Sequence, residues 1–190
     1  MGVVFVLASA VFNAVNTDYL KIAKEPIAKA LSTYGSIHRR YEKIIVSDLL
    51  TIIDDFGHTP IEIDSVINAI QQDYIDAKII CIPCLKQLHR TRRFLKDFGR
   101  VLARVNICYI PPITPGLGDK IDNMDNTLQC DLVGEINKAN GRAILCIDES
   151  DATKNLHKYL SAIKIKSIVL IIGSICTEKI LIELKNYFVK

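Results

Sequence analysis

Ile37-His38-Arg39-Arg40-Tyr41-Glu42 and, after a short gap, Ile52-Ile53-Asp54-Asp55-Phe56-Gly57-His58-Thr59-Pro60-Ile61-Glu62-Ile63 are the stretch on which the fold of this chain turns. Two short strands are predicted, Tyr41–Ser47 and Thr51–Asp55, the second an apolar run that closes on two carboxylates. Pro60 stands where a helix can begin, because the first turn leaves its N–H groups unpaired and proline has none to lose. Ile63, Val66, Ile67 and Ile70 then recur at helical spacing with polar residues between them, the pattern of a helix with one buried face. A buried strand that feeds directly into a helix is the corner of a βα unit.

Working outward, the same alternation repeats. Apolar runs at Lys78–Ile82, Val105–Ile110, Ala143–Ile147 and Ile168–Ile172 read as strands, and Leu88–Ala103, Leu128–Ala139, Ala152–Ala162 and Glu178–Phe188 read as helices. The strands are continuously apolar, which implies burial on both faces and hence a largely parallel sheet. The expected fold class is α/β: a Rossmann-like, mostly parallel sheet of about six strands with helices on both faces, the four apolar runs at its centre. Upstream, residues 3–34 read as two helices broken at Lys24-Glu25-Pro26. The domain reading is therefore a short helical segment over 1–36 and an α/β domain over 37–190. Pro111–Asn126, rich in Pro, Gly and Asp, is the longest irregular stretch.

Composition narrows the function classes. With 190 residues, 49% of them hydrophobic, the chain can bury an ordinary core. A net charge of +3 without a dense basic run gives no argument for nucleic acid. No segment reaches the roughly 20 apolar residues that span a bilayer. The six cysteines sit mostly inside apolar runs, where they act as small hydrophobes, which suits a reducing cytoplasm. Met1–Val15 is almost wholly apolar, but it lacks the charged start of a secretory signal, and Val6 does not suit myristoylation at Gly2. It reads as a buried helix, and residues 3–15 are expected to pack against the domain or against a second copy, giving a homodimer.

Doubly wound sheets bind ligands at the carboxyl ends of their strands. Asp54-Asp55-Phe56-Gly57-His58 falls at such an end, just before a helix N-terminus that favours anions. A carboxylate there can accept from ribose hydroxyls, and an imidazole and a helix end can face phosphate. The plainer alternative is a helix cap with a neighbouring surface histidine. A different chemistry is open at Cys81-Ile82-Pro83-Cys84, where a Cys-x-x-Cys between strand and helix has thioredoxin-type redox geometry. Cys81 lies within an apolar run, however, and no second ligand pair stands at a zinc spacing.

The Arg-Arg-aromatic-Glu strand followed by Asp-Asp-aromatic-small-His-x-Pro resembles the start of the C-terminal domain of the Mur ligases, the ATP-dependent amide-forming enzymes of peptidoglycan synthesis. Within that family the resemblance points to the ligases that join L-alanine to UDP-N-acetylmuramate. It implies Arg40, Asp55 and His58 as nucleotide-binding residues. It also implies a substrate-binding loop at Pro83-Cys84-Leu85-Lys86-Gln87-Leu88-His89-Arg90-Thr91. There Arg90-Thr91 match the family, Lys86-Gln87 replace its first His-Arg pair, and His89 can stand in if the loop is shifted. Arg90 and Arg92 read equally well as a solvated helix face. Weaker likeness continues through Pro111-Pro112-Ile113-Thr114-Pro115-Gly116 to Ile172-Gly173-Ser174-Ile175, where the family has Gly-Ala-Gly.

The resemblance implies ATP and Mg²⁺ as cofactors of the complete enzyme, UDP-N-acetylmuramate or L-alanine as partners, and a cytoplasmic setting. It makes residues 1–36 a remnant of the family's central domain. The Gly-x-x-Gly-Lys-Thr/Ser phosphate loop does not occur in the 190 residues; Gly118-Asp119-Lys120 lacks the preceding glycines and the hydroxyl. The His-Asn nucleotide motif is likewise replaced by Val6-Leu7-Ala8-Ser9-Ala10. No catalytic residue is therefore expected on this chain, and alone it should not ligate anything. The alternative is a degenerate, non-catalytic binding module of the same ancestry.

Overall fold

Successive apolar side chains of the central strands point to opposite faces of the sheet, and that alternation builds two cores. The computed structural model describes residues 37–116, 119, 127–162, 164–173 and 177–188. Contacts divide the chain into Met1–Ile37 and His38–Lys190, and the described strands and helices all belong to the second unit. The readings for residues 1–36, including the packing of 3–15, and most of the 111–126 loop lie outside the described residues.

Among the described residues six strands are formed: β1 (Glu42–Val46), β2 (Leu50–Asp55), β3 (Lys78–Cys84), β4 (Ile107–Ile110), β5 (Ala143–Leu145) and β6 (Ser167–Gly173). They make one sheet in the order β1-β2-β6-β3-β4-β5. All neighbouring pairs are parallel except β1–β2, an antiparallel hairpin at one edge. The helices are α1 (Pro60–Asp73), α2 (Leu88–Arg93), α3 (Leu95–Leu102), α4 (Thr127–Lys138), α5 (Glu149–Ala162) and α6 (Thr177–Phe188). This is the expected α/β class.

Along β3 and β6 successive residues go to opposite faces. Ile79, Cys81, Ile168, Leu170 and Ile172 join Ile63, Ile67 and Ile70 of α1, Phe98 and Leu102 of α3, and Leu132 and Ile136 of α4. Ile80, Ile82, Cys84, Val169 and Ile171 join Leu156 of α5 and Ile180 and Leu184 of α6. Each large side chain so enclosed contributes roughly 1.5–3 kcal/mol. Strands β2 and β3 thus send their helices to one face, while β6, lying between them, sends α6 to the other. The carboxyl end of β6 is the topological switch point, where such sheets open a crevice.

Three expectations are corrected. The run Ala143–Ile147 is not central: β5 has only β4 beside it, and Leu145 and Ile147 are 45% and 84% exposed. The helix expected over Leu88–Ala103 is two helices, because Phe94 leaves helical dihedrals (φ −108°, ψ 22°) and redirects the chain so that Leu95 packs on the core. Strand β4 starts at Ile107 rather than Val105, because Asn106 turns the chain, its side chain accepting from the Ile79 N–H at 2.8 Å.

Candidate functional site

The switch point is built from the loops that leave β2, β6 and β3. Gly173 ends β6 with φ +128°, and a Cβ there would stand 2.2 Å from the Cys84 carbonyl oxygen, so only glycine lets β3 and β6 close together. Beside it, the turn Phe56-Gly57-His58 leads into α1. Thr59 caps that helix, its hydroxyl accepting from the Glu62 N–H, while Glu62 folds back to accept from the His58 and Thr59 N–H groups, each at 2.9 Å. Burial works to raise the Glu62 carboxyl, but the His58 and Thr59 donors overcome it and hold it below its ordinary value. The helix N-terminus expected to face an anion therefore already holds the chain's own carboxylate.

The structure brings Arg40 and His58 together around Phe56. The Arg40 guanidinium lies 5.4 Å from the Phe56 ring centre, and the His58 ring meets Phe56 edge-on at 5.4 Å. Arg40 is exposed and His58 partly so, its Nδ1 3.1 Å from the Phe56 carbonyl oxygen. Asp55 is placed differently. It is 5% exposed, and its two oxygens accept from the Tyr41 N–H at 2.8 Å and the Gly57 N–H at 2.7 Å, so its carboxylate fastens the turn to the entry of β1.

His89 and Arg90 lie on α2, after the neighbouring strand β3. His89 is paired through Nδ1 with Asp119 at 2.7 Å, and the same carboxylate accepts from the Leu88 N–H at 2.7 Å and the Gly116 N–H at 2.9 Å. Burial opposes ionisation of Asp119, yet these donors hold its carboxyl far below the ordinary carboxylate range. Arg90 is half-buried in the last turn of α2. Cys81 and Cys84 are both free thiols and buried, and burial, with Cys108 beside it, pushes the Cys81 thiol well up, which opposes the redox chemistry of a reactive Cys-x-x-Cys.

Sequence reasoning passed over Arg39 and Asp54, the inward members of two doublets. Arg39 Nε donates to Asp54 at 3.0 Å, and its Nη2 donates to the Gly173 carbonyl at 2.6 Å. Alternation along β2 puts Asp54 and Asp55 on opposite faces, but Arg39 lies in a turn before β1 with a φ of 57°, where periodicity gives no signal. Among the described residues no three His, Cys, Asp or Glu side chains gather to hold a metal ion, and no helix is long and apolar enough to cross a membrane. A cavity of about 230 Å³ lies elsewhere, at the amino ends of β2 and β6; Ser47 and Ser167 interrupt an otherwise apolar lining that carries no charged group.

Comparison with known proteins adds to this geometry. Residues 39–175 match the family model described as Mur ligase, glutamate ligase domain. The UDP-N-acetylmuramate–L-alanine ligase of Porphyromonas gingivalis strain W83 is 26% identical over 166 residues, covering 87% of this chain and 34% of that protein. The corresponding ligase of Lactobacillus acidophilus is 31% identical over 149 residues, covering 78% of this chain and 32% of its own length. The chain thus spans about a third of the length of the curated relatives it matches. Among solved structures, the UDP-N-acetylmuramate–alanine ligase of Thermotoga maritima superposes with a TM-score of 0.63 at 16% identity, over 94% of this chain and 36% of that one. The MurF ligase of Thermotoga maritima, solved in complex with ADP, superposes with a TM-score of 0.56 at 17% identity, over 88% of this chain and 37% of that one. These two likenesses bear on the fold.

Proposed function

The chain belongs to the Mur ligase family, matching its C-terminal domain over residues 39–175, and from that premise we propose that residues 37–190 form the ATP-facing C-terminal lobe of a UDP-N-acetylmuramate–L-alanine ligase. Residues 1–36 would then be the remnant of the central domain that precedes it. In the complete reaction ATP phosphorylates the substrate carboxylate, and the amine of L-alanine displaces the phosphate to form the amide. This lobe closes over the nucleotide; the phosphate loop comes from the central domain, and Mg²⁺ travels with the phosphates of ATP. The setting is the cytoplasm, where these substrates are made.

The observation that carries the reading is the grouping of Arg40, Phe56 and His58 above the end of β6, at the sheet's switch point. Arg40 supplies a fixed positive charge for phosphate, and its planar fork suits phosphate oxygens better than a lysine would. His58 offers a second nitrogen at the same rim. Phe56, 36% exposed, presents a ring edge against which a nucleoside can rest. Asp55 can answer a ribose hydroxyl only by sharing oxygens already bonded to Tyr41 and Gly57. His89 and Arg90, one strand further along the same rim, would meet the sugar or the amino acid.

Calorimetric titration of the full chain with ATP, ADP and UDP-N-acetylmuramate tests this. Nucleotide binding that is lost in Arg40→Ala and His58→Ala is the expected result. No binding of any of the three would end the reading. Restored alanine-adding activity on mixing with a phosphate-loop domain separates a ligase lobe from the non-catalytic binding module.

A further inference from the structure

Arg39 and Arg40 stand side by side at the entry to β1, yet their surroundings are opposite. Arg40 is exposed, whereas the Arg39 side chain is only 12% exposed. Its guanidinium joins three things at once. Nε donates to Asp54 at the end of β2, Nη2 donates to the Gly173 carbonyl at the end of β6, and the group lies 5.2 Å from the Phe56 ring centre. The Arg39 main chain adds two more ties: its N–H donates to Glu42 at 2.8 Å and its carbonyl accepts from the Phe56 N–H at 2.9 Å.

Two features argue that this arrangement is not there for stability alone. Arg39 and Tyr41 take positive φ values of 57° and 52°, a region that non-glycine residues occupy only when their surroundings over-determine it. Asp54 is fully buried and only one of its oxygens is bonded, Oδ1 having no partner. Burial raises its carboxyl above the ordinary value even against the Arg39 charge. A buried ion pair left half-satisfied is weak as a stabilising device compared with apolar packing. Its geometric effect is strong, because a planar fork fixes direction at both ends.

We propose that Arg39 is the positioning residue of the nucleotide site: it holds Phe56 and the 56–58 turn over the end of β6, so that Arg40 and His58 face one volume. This rests on the nucleotide reading above. Arg39 itself touches no nucleotide; it acts through Phe56 and through the spacing of β2 and β6.

Arg39→Lys in the full chain tests this, because lysine keeps the charge beside Asp54 but cannot reach Asp54 and Gly173 as one rigid fork. Two measurements are read: ATP affinity, and the His58 ring proton shifts, which the edge-on Phe56 ring displaces. The expected result is about a tenfold rise in the Kd for ATP with the His58 shifts moving toward their free-peptide positions, in a chain that stays folded with a thermal midpoint modestly lowered by loss of the bond to Gly173. Arg40→Lys should weaken ATP binding but leave the His58 shifts in place, which separates a contact from a positioning role. Wild-type ATP affinity in Arg39→Lys, or unmoved His58 shifts, would overturn the proposal. If the wild-type chain binds no ATP, the function reading falls, and the His58 shifts alone still decide whether Arg39 holds the turn. Should Arg39→Lys fail to fold, Asp54→Asn, which releases the same fork, is read by the same two measurements and judged by the same results.

Discussion

Replacing Gly173 with alanine places a methyl group where β3 and β6 leave no room. The new Cβ would lie 2.2 Å from the Cys84 carbonyl oxygen and 2.8 Å from its carbon. Both are backbone atoms, so no side-chain rotation relieves the clash. The φ of +128° adds a backbone strain of about 1–3 kcal/mol for any residue with a Cβ. Relief requires parting the strands at their last paired position, Cys84 with Gly173, and so loosening the bond from Arg39 to the Gly173 carbonyl. A hydrogen bond to a charged group is worth about 1.5–3 kcal/mol. Together these predict a loss of roughly 3–6 kcal/mol, a large part of the 5–15 kcal/mol that holds a typical domain. The control is Gly134→Ala: Gly134 lies within α4 with nothing inside 4 Å of the new methyl. There alanine should stabilise by about 0.5–1 kcal/mol through helix propensity. Urea unfolding followed by circular dichroism reads both variants, with the slope against denaturant checked for constancy. A Gly173→Ala protein within about 1 kcal/mol of wild type would refute the close-packed β3–β6 junction and the switch-point geometry built on it.

Asp119→Asn should cost about 1–2 kcal/mol at neutral pH by weakening the start of α2. Because the folded-state carboxyl of Asp119 is depressed, its contribution is fully present above the unfolded pKa near 4 and is lost as pH falls below it; acid unfolding curves should therefore be steeper for wild type than for the variant, and equal slopes would count against the assignment. Phe98 is fully buried between α3 and the sheet, so Phe98→Ala should lose about 3–5 kcal/mol, and a loss under 1 kcal/mol by calorimetry would contradict its place in the core. Among the described thiols, Cys130 is exposed and should label rapidly at neutral pH, whereas Cys81 and Cys146, the latter pushed up to about 12 by burial, should label slowly. Peptide mass spectrometry that finds Cys81 labelled first, or joined to Cys84, would return weight to redox chemistry.

The strands best read from sequence are those buried on both faces. Within β3 and β6, Ile79–Cys84 and Ile168–Ile172 are unbroken apolar runs because each strand serves two cores, and nothing but a central position demands that. The same reasoning overreached at Ala143–Ile147, since an apolar run of that length does not say how many neighbours it has. Ile147 escapes the core because the chain has already turned: its N–H donates to Asp151 at the start of α5. The break at Phe94 was hidden for a related reason. Leu88, Phe98 and Leu102 keep a helical spacing across it, so the periodicity survives a change of axis that only the dihedrals of one residue record.

The site shows a different limit. A motif names residue types in order but not where each side chain goes, and in both doublets the two neighbours part company. Arg40 and Arg39 are parted by the turn before β1, where Arg39 takes a φ of 57°, and the enclosed arginine meets the fully buried Asp54. The second carboxylate, Asp55, follows Ile53 on the opposite face of β2 and is also buried, and the turn after it, needing an acceptor for the Gly57 N–H, takes Asp55 for it. Freeing Asp55 for a ribose would strand a buried donor at a cost of about 1–3 kcal/mol. Arg40 and His58 stand at the rim without such a cost. On the proposed nucleotide reading, phosphate would therefore engage first, at Arg40 and His58, with the sugar following as Asp55 shares its bonds.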